Sequence, residues 1–480
     1  MAGASSFLYD GFVKAMSHEP TECQDNFFRS VAEYIGSDED LMVVNGYAGT
    51  GKTTAVSAII STLKELKIKS VLLAPTGRSA KVLSSYSSKP AYTIHKFIYR
   101  QKSVGNDGYG SFSLAPNKDK DTFFVVDEAS LITIDSLSAS GGTSSFGSGN
   151  LLEDLISFVR SGRDCKLLII GDSAQLPPVG MDISPALNKD FMSSLGCYRY
   201  VELHTVVRQE KESGILLNAT HLRELMAEVV YMDSIPKSKV GLSVGGYDDV
   251  QRINGVELIE CLSDAYSKYG DDRTVVLCRS NKRAVKYNLG IRSTVQFKEE
   301  SLVHSDRLMI VKNCYQFLED IKGLEYIANG DIASLERIYS HEERYGLHFA
   351  EARLRFPDYD DVEIRAKVIL DTLQSESASL TYEQQNALYI GVNEDYSHIT
   401  SKSKRWEAVR EDKYFNALQL KYANAITCHK SQGGQWDCVF IDNAFWNDEV
   451  AVEDLKWLYT AFTRAVRKVY LVNFDDSMFE

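Results

Sequence analysis

The chain has 480 residues, a formal net charge of −13, 44% hydrophobic and 25% charged residues. At roughly 150 residues per domain this length accommodates about three domains with sizeable cores, and the balance excludes a mostly disordered or fibrous chain. No apolar run approaches the ~20 residues of a membrane-spanning helix, and the start MAGASSFLYDGFVK lacks the basic-then-apolar order of a secretory signal.

A cytoplasmic, intracellular enzyme is therefore expected. The eight cysteines are scattered, with no CxxC pair or His/Cys cluster at metal-ligand spacing, and read as buried thiols in a reducing compartment. The acidic balance argues only weakly against a nucleic-acid partner, because a phosphate channel needs a few well-placed cations and backbone N–H groups rather than a basic exterior.

Along the chain, the short β-rich runs LMVVNG (41–46), SVLLAP (70–75), TFFVVDE (122–128), KLLIIGD (166–172) and YRYVELH (198–204) alternate with helical patterns. That alternation predicts an α/β fold, a parallel sheet flanked by helices with functional loops at the carboxyl ends of the strands. A second set begins at TVVLCRS (274–280) and resumes with ANAITC (423–428), DCVFID (437–442) and KVYLVNF (468–474). The interruption at 331–422 opens with alternating segments that predict a small β-barrel-like module, then turns polar and helical. Two stretches leave the α/β rhythm. Residues 100–121 carry the turn residues Asn106, Asp107 and Gly108 of a hairpin, and the Ser/Gly-rich run 136–149 predicts a flexible loop.

The segment GYAGTGKTT (46–54) joins an apolar strand to a helical run and reads as a P-loop. Backbone N–H groups from Gly46, Ala48, Gly49, Thr50 and Gly51 through Thr54 would wrap phosphates, Lys52 would place a cation on the β/γ oxygens, and the Thr53 hydroxyl would ligate Mg²⁺. FFVVDEAS (123–130) supplies the acidic partner: Asp127 for Mg²⁺ and Glu128 to polarise the attacking water. Taken alone, this carboxylate pair could also cap a helix. In LLIIGDSAQLPPV (167–179), Gln175 can sense the γ-phosphate because its amide both donates and accepts hydrogen bonds.

Together these segments resemble superfamily 1 helicases, and within them the RecD-like and phage Dda-like group, class 1B. GYAGTGKT looks like motif I, APTGRSAK (74–81) motif Ia, TIHK (93–96) motif Ib, DEAS motif II and GDSAQLPPV motif III. VVRQ (206–209) looks like motif IV, ITCHKSQGGQWD (426–437) motif V and YTAFTRA (459–465) motif VI. The resemblance implies two RecA-like P-loop domains with parallel sheets and ATP between them. The first would span 1–206, with a hairpin insert (1B) at about 100–121. The second would span 207–330 and 423–480, with an SH3-like insert (2B) at 331–422.

On this resemblance Arg208 and Arg464 are the arginine fingers, Gln24 in PTECQDNFF resembles an adenine-reading glutamine, and Gly434 joins the nucleotide site. Gln435 stands where many relatives carry Glu, which puts ribose recognition there in doubt. Thr76, Arg78, Thr93, His95, Thr427, His429 and Lys430 are the candidates for holding a nucleic-acid backbone. The basic segment 401–415, with Trp406, Tyr414 and Phe415, either stacks bases or forms a solvated helix face. Tyr109 and Phe112 in the hairpin are the strand-separating candidates. The resemblance implies ATP and Mg²⁺ as cofactors, single-stranded and tailed duplex DNA as partners, action as a monomer, and 5′ to 3′ movement. Alternatives are an RNA helicase of the same superfamily and a nucleic-acid-dependent ATPase switch without processive unwinding.

Overall fold

The computed structural model describes residues 2–104, 110–134, 145–205, 213–229, 232–314, 317–318 and 327–480. Arg208, Tyr109 and the hairpin-turn residues Asn106, Asp107 and Gly108 lie outside the described residues.

The first unit opens with α1 (Ala2–Ala15) and α2 (Glu22–Ile35), followed by β1 (Leu41–Gly46), α3 (Lys52–Glu65), β2 (Lys69–Ala74), α4 (Gly77–Ser87), β3 (Ala91–Thr93) and α5 (Ile94–Ile98). After them come β4 (Tyr99–Val104), β5 (Gly110–Leu114), β6 (Thr122–Val126), β7 (Ser145–Phe146), α6 (Leu151–Arg160), β8 (Lys166–Gly171), α7 (Lys189–Ser194) and β9 (Arg199–Leu203). Its parallel sheet runs β3-β2-β6-β8-β1-β9. Every residue of β1 and β6 is buried, as expected of strands covered by helices on both faces. Helices α1, α2 and α3 seal one face, and α5 and α6 seal the other. The crevice that such a topology opens at the strands' carboxyl ends receives the P-loop, the acidic pair and the GDSAQ loop.

The expected hairpin is present: β4 pairs antiparallel with β5. Within the Ser/Gly-rich run read as a loop, β7 adds to this hairpin as a parallel third strand. Phe112 pairs in register with Gln101 and Phe146 and packs, half-buried, against the core of the first unit. The structure thus puts Phe112 in the hairpin's packed base, not on an open face pressed toward duplex.

The second unit contains α8 (Gly214–Val229), β10 (Ser234–Pro236), β11 (Val250–Ile253), α9 (Leu258–Tyr269), β12 (Thr274–Cys278) and α10 (Asn281–Gly290). A closed barrel interrupts it, built from β13 (Arg307–Ile310), β14 (Ile332–Arg344), β15 (Leu347–Phe356), β16 (Val362–Ile369) and β17 (Leu418–Tyr422). Helices α11 (Asp371–Gln374), α12 (Tyr382–Asp395) and α13 (Lys402–Glu411) lie between its last two strands. The chain then returns through β18 (Ala425–Thr427), α14 (Cys428–Ser431), β19 (Trp436–Asp442), β20 (Glu449–Ala451), α15 (Val452–Phe462) and β21 (Ala465–Val472). Its parallel sheet runs β11-β21-β19-β12-β18.

The barrel starts earlier than the sequence boundary of 331, because β13 pairs with both β14 and β17. Closure requires that strand, since without it the two partners would present open edges. The 401–415 segment is corrected as well. Trp406, Tyr389 and Phe415 meet edge-on at 5.3 and 6.1 Å, and Tyr414 is buried against Phe349, so these aromatics seal the helical cap of the barrel and leave the lysines of α13 facing water. Among the described residues, no helix is long and apolar enough to cross a membrane.

Candidate nucleotide and nucleic-acid site

The P-loop leaves β1 at Gly46 and enters α3 at Lys52. Gly49 and Gly51 take φ of 77° and 74°, a left-handed conformation that L side chains resist, and so the loop curls tightly enough to turn its N–H groups inward. Gly46 is required for a different reason. A Cβ there would lie 2.7 Å from the Lys52 Cδ. Lys52 Nζ donates to the carbonyl oxygens of Gly46 and, at 2.9 Å, Tyr47, with the Asp172 carboxylate 3.8 Å away. Thr53 and Thr54 stand exposed on the first turn of α3.

Asp127 and Glu128 follow β6. Glu128 adopts φ 54°, a strained left-handed conformation for a side chain of its size, and such strain persists where surrounding structure imposes it. Burial in the cleft pushes the Glu128 carboxyl above its ordinary value; Arg464 and Lys52 pull it down, and Asp127 and Asp172 push it up. Arg464 is 3% exposed, held by the carbonyl of Thr460 at 3.2 Å and that of Gly434 at 3.4 Å.

Asp127 is held on both oxygens. Tyr86 donates its hydroxyl to Oδ2 at 2.5 Å, and the Glu128 N–H donates to Oδ1 at 2.8 Å. Each oxygen keeps a further lone pair, so a carboxylate fixed in this way, with the Thr53 hydroxyl and nucleotide phosphates, suits Mg²⁺, which takes one or two carboxylates plus phosphate oxygens. Gln175 is buried, and its Oε1 has no hydrogen-bond partner among the described residues.

Gln24 differs from the expectation. Its Oε1 accepts from the Thr21 N–H and its Nε2 donates to the Thr50 carbonyl at 3.0 Å, while the side chain is fully buried. It closes a capping box on α2 and ties that helix to the P-loop, with one N–H and one acceptor lone pair of its amide used for these bonds. At Gly434 a Cβ would lie 2.7 Å from Arg78 Nε and from the Trp436 ring, and the Gly434 carbonyl accepts from Arg464. This glycine gives room for the contact between the two units. Gln435 is exposed.

Further residues escaped the sequence reading. Tyr459 on α15 accepts the Ala48 N–H at 2.9 Å and donates to Asp172 Oδ2 at 2.7 Å, crossing from the second unit to the P-loop. Thr460 accepts the Leu176 N–H at 2.8 Å, and Gln432 donates to the Leu176 carbonyl at 2.6 Å, so the GDSAQ loop is gripped from the second unit. Tyr459, Thr460 and Asp172 lie inside quoted motifs, yet neither strand nor helix periodicity marks their partners. Tyr86 had no motif to signal it.

The candidate backbone-binding residues gather at the carboxyl ends of neighbouring strands. Thr76 and Thr93 cap α4 and α5, each accepting the N–H three residues on, and Thr427 precedes α14. Arg78 does not reach into open solvent. Its guanidinium lies 4.1 Å over the Trp436 ring, Nη1 is buried without a hydrogen-bond partner among the described residues, and burial pushes its pKa down to about 10. Burial also pushes His95 down to about 4 and lowers His429 and Lys430. His95 is therefore neutral near pH 7 and offers hydrogen bonds rather than charge.

Parts of the chain resemble known proteins. Residues 24–140 match the model of an AAA domain family, and residues 422–472 match a UvrD-like helicase C-terminal domain. An uncharacterized protein of Methanocaldococcus jannaschii is 22% identical over 90% of this chain and 36% of its own length. The ATP-dependent RecD2 DNA helicase of Deinococcus radiodurans is 29% identical over 29% of this chain and 16% of the relative. The ATP-dependent DNA helicase dda of Enterobacteria phage T4 is 40% identical over 79 residues, 16% of this chain and 18% of the relative. The chain thus spans well under two thirds of the length of these curated relatives. A Pif1 helicase from Bacteroides, solved in complex with ADP-AlF3 and ssDNA, aligns over 97% of this chain and 95% of its own with 15% identity and a TM-score of 0.48.

Proposed function

We propose that this chain is a superfamily 1B helicase and an ATP-driven motor, a reading supported by its matches to an AAA domain and a UvrD-like helicase C-terminal domain and by its partial similarity to RecD2 and dda. It travels 5′ to 3′ along single-stranded DNA and separates duplex DNA. The observation that carries the reading is the cleft assembled from both units: Tyr459 of the second unit bonds the Ala48 N–H of the P-loop and the Asp172 carboxylate, which lies 3.8 Å from Lys52.

In this reading Lys52 and the loop N–H groups hold the phosphates, and Thr53 and Asp127 hold Mg²⁺. A metal held there would supply positive charge to offset that of the phosphates. Glu128, whose raised pKa suits a proton acceptor, orients the attacking water. Gln175 senses the γ-phosphate, and Arg464, with Arg208 as its expected companion, stabilises charge on the transferring group. Hydrolysis loosens the cleft, and the GDSAQ loop, gripped by Thr460 and Gln432, passes that change to the second unit. Thr76, Thr93 and His95 on one side and Thr427, His429 and Lys430 on the other then grip the DNA alternately. Each copy acts as a monomer, in the cytoplasm.

ATP turnover measured with and without oligothymidine tests the reading. Turnover should be low alone and rise steeply with single-stranded DNA, and Lys52→Ala should abolish it. Turnover equally fast without nucleic acid would overturn the proposed coupling.

A further inference from the structure

α4 connects the two sites. Its first turn, capped by Thr76, belongs to the candidate DNA track: Arg78 stacks on Trp436, and a Cβ on Gly433 would lie 2.0 Å from Ser79 Oγ, so this end abuts the loop after β18. Its last turn carries Tyr86, whose hydroxyl donates to Asp127 Oδ2 at 2.5 Å. From Thr76 to Tyr86 a rise of 1.5 Å per residue gives about 15 Å. Ala80 and Leu83 are buried along that length, and Leu83 belongs to the core of the first unit. Ser57 on α3, the helix that starts at the P-loop, donates to the Tyr86 carbonyl at 2.9 Å. Tyr86 therefore stands where the track helix, the P-loop helix and the acidic strand end meet.

Packing alone does not call for the hydroxyl. Phenylalanine would fill the same space, whereas a buried phenol must find an acceptor. Here the acceptor is the carboxylate read above as a metal ligand, and the bond leaves its rotamer little freedom. We propose that Tyr86 is a positioning residue that couples single-stranded DNA at the first turn of α4 to the orientation of Asp127, and so to Mg²⁺-dependent nucleotide binding. The inference rests on the reading of Asp127 under the proposed function.

Coupling between two binding sites is reciprocal, so it can be read without turnover. The affinity of labelled oligothymidine would be measured by anisotropy with β,γ-imido-ATP present or absent, in Mg²⁺ and again in EDTA. In the parental protein with Mg²⁺, the analogue should change DNA affinity by about fivefold or more. In Tyr86→Phe that factor should fall to within about twofold of unity, the level both proteins show in EDTA. Tyr99→Phe is the control, because it removes another buried phenol-to-carboxylate bond of the first unit, Tyr99 to Asp154 at 2.7 Å. It should cost similar thermal stability and keep the parental factor, which a purely structural role for Tyr86 would not distinguish. Retention of the parental factor by Tyr86→Phe, or a parental factor unaltered by EDTA, overturns the inference and leaves the proposed function standing. A parental protein that binds no DNA, or whose DNA affinity ignores the analogue, refutes the proposed function and the inference with it.

Discussion

Tyr459→Phe isolates the contact by which the second unit reaches the P-loop. The ring is 1% exposed and phenylalanine refills it, so no cavity opens and only the hydroxyl is lost. Two groups then lose a partner: the Ala48 N–H, bonded at 2.9 Å, and Asp172 Oδ2, bonded at 2.7 Å. An orphaned buried polar group costs about 1–3 kcal/mol. Asp172 keeps the Ala174 N–H on its other oxygen and Lys52 at 3.8 Å, so its share lies at the low end. The sum is about 2–3 kcal/mol, and all of it falls on the arrangement in which the units are engaged. At 1.4 kcal/mol per decade, DNA-stimulated turnover should drop by roughly 30- to 100-fold, because Arg464 follows Tyr459 on the same segment and loses its placement. Steady-state ATPase assays at saturating oligothymidine measure this directly. A stimulated rate within about threefold of the parental one would refute the reasoning, since it would mean the bridge contributes under 1 kcal/mol.

Glu128→Gln should retain ATP and DNA binding while turnover is lost, because the amide keeps the shape but accepts no proton; parental hydrolysis by this variant would remove Glu128 from the chemistry. Asp331 sits at the start of the barrel's long strands, where burial pushes its carboxyl up to about 7 despite hydrogen bonds from the Ala328 N–H and Tyr359 hydroxyl. A raised carboxyl stabilises the fold fully below its unfolded value near 3.8 and loses that contribution as pH rises toward 7. Thermal melts of Asp331→Asn against the parental chain should therefore show a shallower decline between those limits, and parallel curves would contradict it. Replacing 105–109 with a two-residue turn between the paired Val104 and Gly110 should leave DNA-stimulated ATPase nearly intact while duplex separation falls sharply; parental unwinding would place the separating element elsewhere.

The parts of the site that follow local rules were legible. A strand, a glycine-rich turn and a helix define the P-loop, and a fully apolar strand ending in two carboxylates defines its acidic partner; both survive translation into coordinates because each is set by neighbours in sequence. Residues that act across the fold were not. Tyr459 bonds Ala48 and Asp172 from a distant part of the chain, and a buried tyrosine in an apolar helix reads as core from sequence. Tyr86 reads in the same way. Gln24 was legible differently: Thr-x-x-Gln before an apolar run is itself the capping-box pattern, and the structure shows that pattern together with the bond to Thr50. The barrel boundary was missed because RLMI is too short a run to announce a strand whose only signature is its pairing with Ile332–Ser334 and Leu420–Tyr422.

Strand displacement on tailed duplexes tests the central claim most directly. DNA duplexes carrying a 5′ tail, a 3′ tail or an RNA tail would be mixed with the protein, Mg²⁺ and ATP, and release of the labelled strand followed in real time. The account predicts ATP-dependent release from the 5′-tailed DNA duplex and little from the other two. Release from none of them, with DNA-stimulated ATP turnover intact, would contradict it and identify the chain as a nucleic-acid-dependent switch.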